Sequence, residues 1–233
     1  MDTSANYLFV DGHHIAFDGE SIQIFMRDIN RAYAGETLTK ESFTGYEVAL
    51  LEEKLRQGTH FETAKEYYTT LLDGIDTDCL PVYDKDMEAT EIGYLTVDAP
   101  VDMDKMLRDV VKDGGVTLNG LWNAAFGLAL SRFLYRDDSV YTTIYNGRND
   151  SRLSESVGMF VHTLPVVCRV EEGESGIAYA KRIGQQLTDS MTNDIYSFAE
   201  ISRQFDIKAN IIFAYQGRLG ADVMVGRSEE AHV

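Results

Sequence analysis

Cysteine is scarce in this chain: Cys79 and Cys168 are the only two in 233 residues. Thiols so far apart make neither a disulfide framework nor a metal-ligand spacing. No metal site is expected, and the fold has to be held by its core. Proline is nearly absent, with three residues, and no low-complexity tract or internal repeat is visible, which argues against an internal flexible linker. Basic side chains are heavily outnumbered. Twenty-one Lys+Arg against 38 Asp+Glu give a formal charge of −17, which opposes phosphate backbones and anionic lipid surfaces. Nucleic acid and membrane partners are therefore not expected. The longest apolar runs fall well short of the roughly 20 residues a bilayer span needs. The first 20 residues lack both a basic start and a long apolar stretch. The expected setting is a reduced, cytoplasmic one.

What is present is enough for a sizeable core: 44% of the residues are hydrophobic. Strand-like and helix-like segments alternate. Residues 7 to 15 read as a strand, and Ile22, Phe25, Met26, Ile29 and Tyr33 recur at helical spacing across 19 to 34. Two more helices are expected at 46 to 54 and 60 to 73, followed by a turn-rich stretch from 72 to 86. Residues 92 to 98 read as a strand. The segment 98 to 115 reads as a helix with an Asp-rich start and a Gly stop. The stretch 115 to 134 is so uniformly apolar that it predicts a buried helix. Strands at 139 to 146, 159 to 170 and 209 to 216, with a helix at 174 to 191, complete a layered α/β pattern.

The chemistry concentrates in YLFVDGHHIAFDGES, residues 7 to 21. Neighbours on a strand point to opposite faces, so a strand here would send His14 toward an open cleft and His13 inward as a packed residue. An imidazole titrates near neutral pH, at about 6.5, and suits proton transfer to or from an amine or alcohol attacking an activated acyl group. Asp18 reads as the cap of the following helix, a role that leaves it free to pair with an arginine as well. Gly19 reads as a backbone device for a tight turn.

HHIAFDG, His13 to Gly19, resembles the HHxxxDG signature of the condensation domains of nonribosomal peptide synthetases. The resemblance extends along the chain. Residues 117 to 150 resemble the family's apolar helix, strand and Gly-Arg corner, here Gly147 and Arg148. VGMFVHTLPV, residues 157 to 166, is similar to IGxFVNTLP with His162 in place of Asn, and NIIFAYQG, residues 210 to 217, is similar to FxxxFxYQN. Epimerization domains share the signature but carry Trp soon after the Ser, whereas Ser21 is followed by Ile22 and Gln23.

The resemblance implies a chloramphenicol acetyltransferase-like lobe, a mixed sheet flanked by helices and incomplete relative to the family's two-lobed fold. Residues 1 to 36 would be a remnant of the N-terminal lobe and 37 to 233 the C-terminal lobe. It implies acyl transfer. An amine on one carrier attacks a thioester on another, with His14 catalytic, His13, Asp18, Gly19 and Arg148 structural at the active site, and Asp18 paired with Arg148. His162, Thr163, Tyr215 and Gln216 would border the substrate channel. No cofactor would be bound by the chain itself; phosphopantetheine would arrive on peptidyl or aminoacyl carrier proteins, beside an adenylation domain. An epimerization domain, a free-standing acyltransferase and a noncatalytic docking domain are the alternatives. A lobe without its counterpart is expected to self-associate or to leave residues 7 to 34 mobile, and to be inactive alone.

Overall fold

A computed structural model of the chain describes residues 8–78, 93–100 and 102–216. Cys79, most of the turn-rich stretch and the end of the last motif lie outside the described residues. The chain divides into two compact units, one of residues up to Gly58 with Asn146–His162, the other of Thr59–Tyr145 with the residues from Thr163 onward.

The first unit carries two helices. Helix α1, Gly19–Tyr33, begins where Asp18, in an extended conformation, accepts a hydrogen bond from the Ser21 N–H. Helix α2, Gly45–Arg56, opens with a reciprocal capping box between Thr44 and Glu47. The expected helical period in α1 is present, but the face it buries is that of Ser21 and Ile24. Ile22, Phe25 and Met26 remain 49%, 40% and 49% exposed. A periodic apolar stripe shows which residues share a face, not which face is covered. Helix α2 buries none of its residues, and Tyr46, Leu50, Leu51 and Leu55 are all exposed on it. A short 3-10 helix, Ser151–Glu155, capped by Asp150, buries Leu153.

The second unit holds the sheet. Strands β1, Asp138–Tyr145, β2, His162–Arg169, and β3, Ile212–Phe213, lie in the order β2-β1-β3 in a mixed sheet, with β1 and β3 parallel and Thr142 opposite Ile212. Its helices are α3, Thr59–Leu71, α4, Met103–Gly114, α5, Leu118–Phe133, α6, Gly176–Thr192, and α7, Phe198–Phe205. Strand alternation sorts the core. Tyr141, Val166 and Cys168 pack with Ala124 of α5 and Ile183 and Leu187 of α6. Their neighbours Val140 and Val167 pack with Ala64 and Tyr68 of α3 and Ile201 of α7 on the other side. Helices α5 and α6 approach closely: a β-carbon on Gly120 would lie 3.1 Å from the Gly184 Cα. Such a sheet between helices is the expected layered α/β class.

Four expectations are corrected. Residues 8 to 15 form no strand but an exposed irregular segment ending in a turn, and 93 to 98 form no strand either. A strand is stable only when its backbone groups are paired. Among the described residues none pairs with either segment. The expected strand at 209 to 216 shortens to two residues. The mostly apolar helix α5 is only partly buried, with Leu128 and Phe133 exposed.

Candidate active site

The signature enters as a turn. The Ala16 N–H donates to the His13 carbonyl at 2.9 Å, and the Ile15 N–H donates to His13 Nδ1 at 3.1 Å. Both His13 and His14 are exposed. The expectation that His13 faces inward is therefore wrong, because it rested on strand alternation that a turn does not have. The His13 ring instead serves its own loop, and the His14 ring remains accessible to solvent.

The chain is anchored four residues later. Asp18 is 1% exposed, and its Oδ1 accepts from the Ser21 N–H at 2.9 Å and lies 2.8 Å from the Ser21 hydroxyl. Its Oδ2 accepts from the Phe160 N–H at 3.2 Å. Arg148 Nη2 completes the set at 3.0 Å from Oδ1, in an ion pair whose side chains are 5% and 1% exposed. Burial alone would push the Asp18 carboxyl up. The hydrogen bonds from Ser21, Phe160 and Arg148 outweigh it and hold the carboxyl below its ordinary value. Asp18 thus caps α1 and pairs with Arg148 at once.

The guanidinium is held in turn. Its Nη1 donates to the carbonyls of Leu153 and Ser156, its Nη2 also donates to the Ser21 hydroxyl at 3.0 Å, and its plane lies over the Phe160 ring at 4.6 Å. Only its Nε–H is buried without a partner among the described residues. Gly147 makes this approach possible. It adopts φ +65°, and a β-carbon there would fall 1.8 Å from the Phe160 carbonyl oxygen. Gly19 has no such role: it is the first residue of α1 and has open space where a β-carbon would go. The turn-making glycine expected at 19 is therefore found at 147, where the chain must pass over Phe160 in a left-handed conformation.

The sequence missed Ser21. It is fully buried, and its hydroxyl lies 2.9 Å from the Gly158 carbonyl and accepts from the Gly158 N–H at 3.0 Å. In the sequence it stands only as the serine that follows the signature, in the first turn of a helix whose cap is Asp18. Beside the signature turn, Ile15 and Ala16, with Glu41, Gly45, Val157 and Phe160, border a cavity of about 410 Å³.

The channel candidates are placed less tightly. His162, half-buried, opens β2, and the Gly147 position packs toward its ring. In the second unit, Thr163 is half-buried on β2, while Tyr215 and Gln216 are exposed just past β3. Strands β2 and β3 flank β1 on opposite sides, so Thr163 is not a neighbour of the other two. Among the described residues no helix is long and apolar enough to cross a membrane.

Bacitracin synthase 3 of Bacillus licheniformis is 24% identical over 217 residues, 91% of this chain and 3% of that protein. The first condensation domain of the CDA synthetase superposes with a TM-score of 0.66 at 18% identity, covering 87% of this chain and 46% of that one. The epimerization domain from the third module of tyrocidine synthetase B superposes with a TM-score of 0.63 at 22% identity, covering 88% and 50%. The chain therefore spans a few per cent of this curated relative and about half of these solved domains, with which it shares the fold. The condensation-domain family matches residues 1–231, which include the signature turn, the Asp18 anchor and the Gly147-Arg148 corner, and the chain belongs to that family.

Proposed function

We propose that this chain supplies the signature-bearing part of a nonribosomal peptide synthetase condensation domain, joining a carrier-bound aminoacyl or peptidyl thioester to the amine of a second carrier-bound aminoacyl group. One observation carries the reading. The signature turn is anchored by a buried ion pair while the His14 imidazole next to it stays exposed. Asp18 is fully committed to hydrogen bonds, which leaves His14 as the proton-handling group of the motif.

In the reaction the amine nitrogen attacks the thioester carbonyl carbon, the C–N bond forms, and collapse of the tetrahedral intermediate breaks the C–S bond. His14 accepts the proton that the amine loses and returns it to the departing sulfur, so the imidazole ends as it began. Orientation of the two reactants contributes as well, since holding them in register alone supplies several kcal/mol of a barrier. The phosphopantetheine arms are substrates delivered by carrier proteins, with an adenylation domain loading one of them, and the acidic surface suits a cytoplasmic protein that avoids nucleic acid and membranes.

The test is His14→Ala in the complete domain with two loaded carrier proteins. Amide formation is expected to fall about 10²- to 10⁴-fold, the range for loss of a general acid-base group. Thermal stability should not change, because the ring is exposed. Unchanged turnover would leave His14 only a structural role, and a parent domain that makes no amide would favour a noncatalytic docking domain.

A further inference from the structure

The Gly158 peptide is held on both faces by the start of α1. Its carbonyl accepts from the Asp18 N–H at 3.0 Å and lies 2.9 Å from the Ser21 hydroxyl, while its N–H donates to that same hydroxyl at 3.0 Å. Arg148 Nη2 donates to the hydroxyl too, at 3.0 Å, and Asp18 Oδ1 lies 2.8 Å away. Four polar groups from three separate segments therefore converge on one fully buried oxygen. Asp18 alone could cap the helix and meet the arginine. Asp18 reaches the Gly158 carbonyl through its own N–H; what only Ser21 adds is one hydroxyl that meets Gly158, the Asp18 carboxylate and Arg148 together, across 137 residues of sequence.

We propose that Ser21 is a positioning residue for His14: through the Gly158 peptide it fixes where the turn at residues 13 to 16 is held. The turn has little else to hold it. His13, His14, Ile15 and Ala16 are all exposed, and its internal hydrogen bonds set its shape but not its place. The first buried residue after it is Asp18, bonded through its N–H to the peptide that Ser21 clamps. The consequence for catalysis rests on the function proposed above, but the positioning itself does not.

Amide hydrogen exchange on Ser21→Ala decides the positioning without any activity. The amides of Ile15, Ala16 and Asp18 are expected to exchange about tenfold faster than in the parent chain, while that of Val48, bonded to the Thr44 carbonyl within α2, keeps its rate. Unchanged exchange at all of them would overturn the proposal. So would equal acceleration everywhere, which marks a general loss of stability. Should Ser21→Ala fail to fold, Ser21→Cys, nearly the same size and a weaker hydrogen-bonding group, is expected to give the same selective change in smaller degree. In the complete domain, Ser21→Ala is expected to lower kcat about 10- to 100-fold with KM for both carriers unchanged, and Ser21→Thr, which keeps the hydroxyl, to restore it. A stability loss with kcat per folded molecule intact would overturn the catalytic part. If the parent domain makes no amide from any substrate, the proposed function fails while the exchange result still stands.

Discussion

The Asp18 carboxylate and the Arg148 guanidinium meet at 3.0 Å, 130 residues apart in sequence, with almost no solvent on either. Removing one partner of such a pair leaves the other charge buried and uncompensated, a change that costs about 3 to 5 kcal/mol. Arg148→Ala and Asp18→Ala are each expected to lower the unfolding free energy by that amount in urea titrations. The double variant should lose less than the sum, since each single change already forfeits the shared contact. Additive losses would mean the two side chains stabilise the chain independently.

Acid should find the same pair. The folded-state carboxyl of Asp18 sits below its ordinary value, so its contribution is complete above the unfolded value of about 3.9 and fades as pH falls through the lower folded one. Asp18→Asn removes that titration. Measured below about pH 4, the stability of the parent is expected to fall more steeply with acid than that of the asparagine variant. Parallel acid limbs would show that other carboxylates govern the loss.

Two glycines in the motif regions should respond oppositely to one methyl group. Gly147→Ala forces an L side chain into a left-handed conformation, which costs about 1 to 2 kcal/mol. It also drives the new carbon into the Phe160 carbonyl. The variant is expected to lose at least that much stability and to loosen Arg148 with it. Gly19→Ala meets open space at the first turn of α1 and should be neutral, or stabilising by up to about 1 kcal/mol, because the unfolded chain loses freedom. Thermal unfolding of the two variants compares them directly, and equal losses would put a backbone requirement at both positions.

The contrast between these glycines shows what the sequence carried. Helices α1, α5 and α6 were legible because their signals are local: Asp18, Thr117 and Ser175 cap them, and an apolar period in α1 and α6 or a uniformly apolar run in α5 follows. Pairing of Asp18 with Arg148 was legible only through the family resemblance, since nothing near either residue names the other. The segment 8 to 15 was misread because strand-like composition does not supply a neighbouring strand. The buried role of Ser21 went unread for a related reason: its partner at 158 is distant in sequence. A glycine's letter, likewise, does not disclose its φ.

The exposed apolar residues of the first unit bear on the chain's behaviour in solution. Leu8, Phe9, Val10 and Ile15 precede α1, and Ile22, Phe25 and Met26 form a stripe along it, all exposed. Soluble proteins seldom leave so much apolar surface uncovered within one short stretch. Residues 8 to 12 also lie in no strand among the described residues, and a segment of this kind can pair with another chain. The 26.2 kDa chain on its own is therefore expected to self-associate at micromolar concentration, seen by light scattering as a mass that rises with concentration. Phe25→Glu together with Met26→Glu should suppress it, because two charges on the stripe cannot be buried without a partner. The same chain, given two loaded carrier proteins, is expected to make no amide above the uncatalysed background. A monomer at every concentration would mean that the stripe is harmless as it stands, and amide product would mean that the anchored turn and His14 suffice for catalysis without further polypeptide.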